Sequence, residues 1–235
     1  MTTTQKKHPD WQHSPAARAA HAAVALLCAA GLVTSLYLGW TLDSAPPIGV
    51  AYAGGFSAGW EHMLNQPAYF TFLSALLVMV TSAMLAVRPE QTSTLFHAVR
   101  LASVVQIIIT GLVFNLLLRS EGRLLGVWLF NDRVLHVILP VLVPLVWLVF
   151  GPHGRLNLRA VAGSAVIPLL WLAVTLIRGP GLDWYPYTIL DVPGVGYTRV
   201  SAYVVAILLA FLGIACLLWL IDRALCRTRR SRTRI

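Results

Sequence analysis

The chain has 235 residues, of which 57% are apolar and only 11% are charged, with a formal net charge of +9. Soluble domains are roughly 45–50% apolar, and a soluble chain of this length could not bury so much apolar side chain. The composition therefore predicts an all-α integral membrane protein and excludes soluble enzyme folds. The net charge must be explained by where the charges lie relative to a bilayer.

Six apolar runs are long enough to be membrane-spanning helices, which need about 20 residues. The runs cover residues 20–41, 69–87, 99–118, 134–150, 161–177 and 203–221. We therefore predict a bundle of six transmembrane helices. No cleavage site follows the first run, so we expect it to remain as the first helix. No repeat relates the two halves, and an inverted-repeat transporter has no support.

The charges predict that both termini are cytoplasmic, because cytoplasmic loops are rich in Lys and Arg. Of the 18 basic residues, 13 lie in the N-terminal segment, the second and fourth loops and the tail. The chain then divides into a cytoplasmic segment over 1–19, a transmembrane domain over 20–222 and a basic cytoplasmic tail over 223–235. We expect the tail to meet anionic lipid of the cell membrane and expect no nucleic-acid partner.

Two of the predicted helices carry polar side chains along one face. These are Thr71, Ser74 and Thr81 in the second run, and Ser103, Gln106 and Thr110 in the third, with Asn115 nearer the outer end. Polar residues in hydrocarbon usually face the bundle interior or a cavity. We expect these helices to line a polar interior. The alternative is that the hydroxyl groups only bond neighbouring helices together.

His136 is the other polar residue of interest, because it lies inside the fourth run and histidine transfers protons near neutral pH. Pro140 follows four residues later and lacks the N–H that would bond the carbonyl of His136. We expect a kinked helix with a polar notch beside the imidazole. Alternatively, His136 is an interfacial residue bonded to a carbonyl or to Asp132.

Because the second and fourth helices run in the same direction, Thr71 and His136 are expected at similar depth near the outer boundary. A hydroxyl and an imidazole at one depth can form a nucleophile–base pair.

Neither the G-x-S-x-G segment nor the cysteines predict a second functional site. Residues 55–59 match G-x-S-x-G, but the nucleophile elbow needs a strand–turn–helix, whereas this segment is predicted to be a loop. The three cysteines have no paired spacing, so we expect neither a disulfide nor a metal site, and no cofactor.

Short motifs at these positions resemble one known family. They are Tyr69-Phe70-Thr71 with Ser74, His136 with Pro140, and Tyr185-Pro186-Tyr187 followed by Leu190-Asp191. Over roughly residues 20–220 they resemble the androgen-induced membrane hydrolases and their bacterial six-pass relatives. Characterised animal members are intramembrane threonine hydrolases that cleave fatty acid esters of hydroxy fatty acids. The resemblance implies that Thr71 is the nucleophile and His136 the base. Phe72, Leu73 and Ala75 depart from the polar residues that bacterial relatives often carry there.

These observations lead us to expect a lipid esterase that uses Thr71 and His136, with a membrane lipid as substrate. Asp191 and Asp132 both lie on the correct side to orient His136, and Asp191 is favoured. Ser74, Asn115 and Gln106 are candidates for substrate binding or for the oxyanion. The alternatives are a six-helix carrier or transporter of a small lipid or solute, and a partner-binding subunit. The natural ester and the oligomeric state are left open.

Overall fold

The computed structural model describes residues 11–44, 46, 47, 49–119 and 124–232, and its regular structure is helical apart from one isolated bridge between Ser44 and Phe56. The α-helices are α1 (Pro15–Thr41), α2 (Trp60–Asn65), α3 (Phe70–Val87), α4 (Thr94–Val113), α5 (Gly126–Arg133), α6 (Leu139–Phe150), α7 (Leu158–Ser164), α8 (Val166–Leu182) and α9 (Val192–Arg232). A π-helical turn, Phe114–Leu118, extends α4, and a second one, Val134–Ile138, joins α5 to α6.

Six of the resulting helices or helix pairs are long and apolar enough to cross a membrane, as predicted. They are Pro15–Thr41, Phe70–Val87, Thr94–Leu118, Gly126–Phe150, Leu158–Leu182 and Val192–Cys226. The chain is therefore an all-α protein with the helices of a multi-pass membrane protein. The buried apolar core lies where α1, α3, α4 and α6 meet, around Ala75, Val104, Leu139 and Trp147.

Both described ends of the chain lie at one end of the bundle. Near the start of α1, the Nε of Arg18 donates to the carbonyl of Ala86, at 2.8 Å. Near the end of α9, the carboxylate of Asp222 accepts from the N–H groups of Gly154 and Leu156, at 2.7 and 3.2 Å. We call this the termini end. The opposite end carries Thr71 and the loops 42–59 and 183–191, and we call it the site end.

The fourth span begins at Gly126, eight residues before the predicted start, because its polar side chains are paired inside the bundle. The side chain of Asn131 donates to the carbonyl of Gly31, at 2.8 Å, and to the hydroxyl groups of Thr34 and Ser35. Hydropathy alone placed such residues outside the membrane, whereas the neighbouring helix satisfies them.

The third span begins at Thr94, five residues before the predicted start, and this extension places Arg100 well inside the helix. Arg100 is only 2% exposed, and its Nη1 donates to the hydroxyl groups of Thr81 and Ser82, at 3.1 and 3.0 Å. Two hydroxyl groups of α3 therefore hold a buried arginine of α4.

The first and last helices extend into the two predicted terminal segments. Helix α1 starts at Pro15, capped by the hydroxyl of Ser14, so the predicted segment over 1–19 is partly helical. Helix α9 is broken at Gly196 (φ 73°, ψ 158°) and continues to Arg232, so the predicted tail is largely an extension of the last helix. Residues 1–10 and 233–235 lie outside the described residues.

Candidate functional site

Thr71 and His136, which the sequence analysis paired by depth, are brought into contact at the site end. The Oγ1 of Thr71 lies 3.3 Å from the Nε2 of His136. Thr71 is the second residue of α3, and His136 lies in the π-helical turn between α5 and α6. A hydroxyl that can donate to an imidazole nitrogen is the arrangement by which a base activates a nucleophile.

Asp132 holds the other side of the His136 ring. Its Oδ1 lies 3.1 Å from the Nδ1 of His136, and its Oδ2 lies 3.4 Å from Nη1 of Arg119. Asp132 is 3% exposed. The carboxylate favours the imidazole tautomer with its hydrogen on Nδ1, which leaves Nε2 free to accept the proton of Thr71.

Asp191, the orienting residue favoured from the sequence, lies elsewhere. Its Oδ2 accepts from the N–H of Ala51 at 2.9 Å, and its Oδ1 accepts from the N–H of Gly194 at 3.1 Å. The carboxylate therefore fastens the loop 42–59 to the start of α9. Being on the same side of the bundle was not sufficient to choose between the two acids, since Asp132 lies one helical turn before His136 and reaches it directly.

The ring of His136 is held by the π-helical end of α4. Phe114 stacks on the imidazole with ring centroids 3.5 Å apart and an angle of 4° between the planes. Just after this π-helical turn, the guanidinium carbon of Arg119 lies 5.2 Å from the centre of the Phe114 ring. Stacking and the bond to Asp132 together fix the orientation of the imidazole.

Asn115, a candidate oxyanion donor from the sequence, has both of its N–H bonds used within the fold. Its Nδ2 donates to the carbonyls of Gly111 and His136, each at 2.7 Å. The second of these is the carbonyl that Pro140 leaves without an intrahelical donor. The polar notch expected beside His136 is therefore filled by a side chain of α4.

Tyr187 is the functional candidate that the sequence analysis did not include among the site residues. Its hydroxyl accepts from the N–H of Thr71 at 3.2 Å and lies 3.4 Å from the Oγ1 of Thr71. Burial raises the pKa of Tyr187 to about 12, against the opposing effect of its hydrogen bond with Thr71. The phenol is therefore a neutral O–H donor at physiological pH. Its position in the Tyr185-Pro186-Tyr187 motif was visible, but only the folded loop shows which tyrosine reaches Thr71.

The other two predicted binding residues lie within the bundle. Ser74 is fully buried, donates to the carbonyl of Phe70 at 2.7 Å and accepts from the hydroxyl of Thr110 at 3.2 Å. These bonds fit the alternative in which hydroxyl groups bond neighbouring helices. Gln106 is also fully buried, and its amide has no hydrogen-bond partner among the described residues. Neither residue lines the cavities at Thr71.

Two cavities meet at Thr71. The polar chamber, of about 450 Å³, lies under the loops of the site end and is lined in part by Ser35, Asp43, Gln66, Tyr69, His136 and Thr188. The apolar groove, of about 110 Å³, lies between α3, α4, α8 and α9, and its lining includes Ile109, Leu169, Val204, Leu208 and Phe211. Four residues line both cavities: Thr71, Phe114, Leu118 and Tyr187.

The fold and the site define a helical, multi-pass membrane protein with a hydroxyl–imidazole–carboxylate chain at one end of its bundle. No protein family, curated protein or solved structure matches this chain. A functional conclusion therefore depends on the geometry of the site itself.

Proposed function

We propose that the protein is an intramembrane esterase that cleaves fatty acid ester bonds, with Thr71 as nucleophile and His136 as base. The observation that carries the proposal is the chain of contacts from Thr71 through His136 to Asp132, at the junction of a polar and an apolar cavity. The resemblance to the androgen-induced membrane hydrolases, which use one Thr and one His, supports the same assignment.

The reaction begins when the Nε2 of His136 takes the proton of Thr71 and the Oγ1 attacks the ester carbonyl carbon. Asp132 stabilises the resulting imidazolium, because its carboxylate bonds the Nδ1–H. The carbonyl oxygen gains negative charge, which the neutral Tyr187 hydroxyl beside Thr71 can stabilise as a hydrogen-bond donor.

The tetrahedral intermediate collapses as His136 gives the proton to the departing alcohol oxygen, which leaves an acyl-threonine. A water molecule then attacks the acyl carbon and transfers a proton to His136. The fatty acid departs, and the proton returns to the Oγ1 of Thr71. Atoms and charges balance, because one ester and one water give one acid and one alcohol.

We also propose that the protein lies in the cell membrane with the site end facing outward, and that its basic tail contacts anionic lipid at the inner surface. The predominance of Lys and Arg in the segments of the termini end supports this orientation. Thr71 and His136 then lie near the outer membrane boundary, where ester bonds of lipids are found.

The test is hydrolysis of lipid esters by the purified protein, together with covalent labelling by a fluorophosphonate probe. Thr71→Ala should abolish both turnover and labelling, and His136→Ala should lower turnover by about 10³-fold or more. Thr175→Ala is the matched control, because Thr175 is a buried threonine of α8 outside both cavities. Asp132→Asn should also lower turnover strongly, whereas Asp191→Asn should preserve it in the protein that remains folded.

Unchanged turnover in the Thr71→Ala and His136→Ala proteins would refute the proposal. A wild-type protein that binds lipid but neither hydrolyses an ester nor reacts with the probe would favour a carrier, which has no activated nucleophile.

A further inference from the structure

The position of His136 assigns the two halves of an ester to the two cavities. His136 lines the polar chamber but not the apolar groove, whereas Thr71 lines both. In the proposed reaction the proton on His136 passes to the oxygen of the departing alcohol, so this oxygen must lie on the His136 side. The alcohol therefore occupies the polar chamber, and the acyl chain extends the other way, into the apolar groove.

The apolar groove suits a hydrocarbon chain because its few polar side chains are already bonded. The Nε1 of Trp171 donates to the carbonyl of Ala68 at 2.8 Å, and the hydroxyl of Thr110 donates to Ser74 at 3.2 Å. From Val204 to Phe211, residues of α9 line the groove over about 10 Å along the helix axis.

The polar chamber suits a neutral alcohol. The described residues that line it include Ser35, Ser44, Gln66 and Thr188, which carry hydroxyl or amide groups. They include no Lys and no Arg. Asp43 is the carboxylate found among the described lining residues; it accepts a hydrogen bond from the N–H of Ala58 at 2.7 Å and repels an anion. Proteins recognise phosphate with Arg or Lys and with charge-assisted hydrogen bonds, which this lining does not offer.

We propose that the substrate is an ester of a single fatty acyl chain with a small neutral polyol, of the monoacylglycerol type. This inference rests on the proposed esterase function and names the substrate of the same site. The acyl group passes to the Oγ1 of Thr71, the polyol leaves with the proton of His136, and water releases the fatty acid. A leaving group that carries a carboxylate or a phosphate would bring its negative charge beside Asp43, where no described lining residue is a Lys or an Arg.

The first test compares esters that share one oleoyl chain and differ in the alcohol. We expect kcat/KM for monooleoylglycerol to exceed by about tenfold or more the values for oleoyl lysophosphatidate and for the oleoyl ester of hydroxystearic acid. Equal or faster hydrolysis of either competitor would overturn the assignment of a neutral polyol to the chamber. It would leave the esterase function standing, since an ester would still be cleaved through Thr71.

The second test blocks the apolar groove. Leu208→Trp places a large ring in the groove, and Leu209→Trp is the matched control because Leu209 is 65% exposed and does not line the groove. We expect Leu208→Trp to lower kcat/KM for monooleoylglycerol by about tenfold or more while leaving a butanoyl ester nearly unaffected, and Leu209→Trp to change neither. Equal losses for long and short chains in the Leu208→Trp protein would overturn the assignment of the acyl chain to this groove.

A third measurement separates failure of this inference from failure of the esterase proposal. In the Thr71→Ala protein, monoacylglycerol with a photoreactive group at the end of its acyl chain should label the groove residues of α8 or α9. Labelling confined to the loops of the polar chamber would overturn the placement of the chain, whether or not the wild-type protein hydrolyses esters. If the wild-type protein hydrolyses no ester but the groove is labelled, only the proposed function is refuted. The assignment of the two cavities as a lipid-binding site then stands.

Discussion

At the scale of single residues, two side chains from separate parts of the sequence contact Thr71, and a third orients one of them. His136 lies in the fourth span, Asp132 one turn before it, and Tyr187 in the loop before α9. Asp132 contacts the Nδ1 of His136, and Tyr187 contacts Thr71 itself. The first relation follows from helical spacing, whereas the second depends on how the loop 183–191 folds over α3.

Removing the hydroxyl of Tyr187 tests whether it stabilises the transition state. We expect Tyr187→Phe to lower kcat by about 10²-fold with little change in KM, as for loss of one oxyanion donor. Because burial holds the pKa of Tyr187 at about 12, the phenol keeps its proton throughout the range from pH 7 to pH 10. The wild-type and Tyr187→Phe proteins should therefore show the same shape of pH–rate profile over that range. A loss of activity between pH 8 and 10 that disappears in Tyr187→Phe would contradict this role, since it would require Tyr187 to ionise there.

At the scale of elements, the site is built where two helices depart from α-helical geometry. Phe114–Leu118 and Val134–Ile138 are both π-helical turns, and their residues Phe114 and His136 stack on each other. Such turns free backbone groups and re-aim side chains, and they are frequent at functional sites. Asn115 bonds the carbonyl of His136 and so connects the two turns.

A double-mutant cycle tests this connection. Asn115→Ala should destabilise the protein by about 0.5–1.5 kcal/mol, because it removes the side chain that donates to the carbonyl of His136. Pro140→Ala supplies a backbone N–H at the position that normally bonds this carbonyl. We therefore expect the double variant to be less destabilised than Asn115→Ala alone, measured as the free energy of unfolding in detergent. Additive losses would show that the carbonyl of His136 is not the shared partner.

At the scale of the whole molecule, both described ends of the chain lie opposite the candidate site. The predominance of basic residues at the termini end predicts that this end is cytoplasmic. Two positions can report the orientation, since Cys226 lies near the end of α9 and Ser57, which can be replaced by cysteine, is exposed in a loop of the site end.

A membrane-impermeant maleimide tests the orientation in intact cells. In a Cys216→Ala background, Cys226 should react only after permeabilisation. A second protein in the same background carries Cys226→Ser and Ser57→Cys. Its new thiol should react without permeabilisation. The reverse pattern would contradict the proposed topology and would place the candidate site at the cytoplasmic surface. Buried Cys28 remains in both proteins as a shared control.

Several features followed from the sequence by itself, because they depend on local patterns. The number of spans follows from runs of apolar residues, and the free carbonyl of His136 follows from Pro140 four residues later. Equal depth along parallel helices was sufficient to bring Thr71 and His136 together as candidates. These are properties of composition, periodicity and distance along a helix, which do not need the packed bundle.

Only the tertiary structure decided which polar groups meet. It assigned Asp132 rather than Asp191 to His136, placed Arg100 inside the bundle against Thr81, and put the Tyr187 hydroxyl beside Thr71. The physical reason is that these contacts depend on how each helix is rotated about its axis and where the loops cross the bundle end. Hydropathy shows whether a segment is apolar, but it specifies neither the rotation of a helix about its axis nor the path of a loop. The two cavities that meet at Thr71 arise from the same packing.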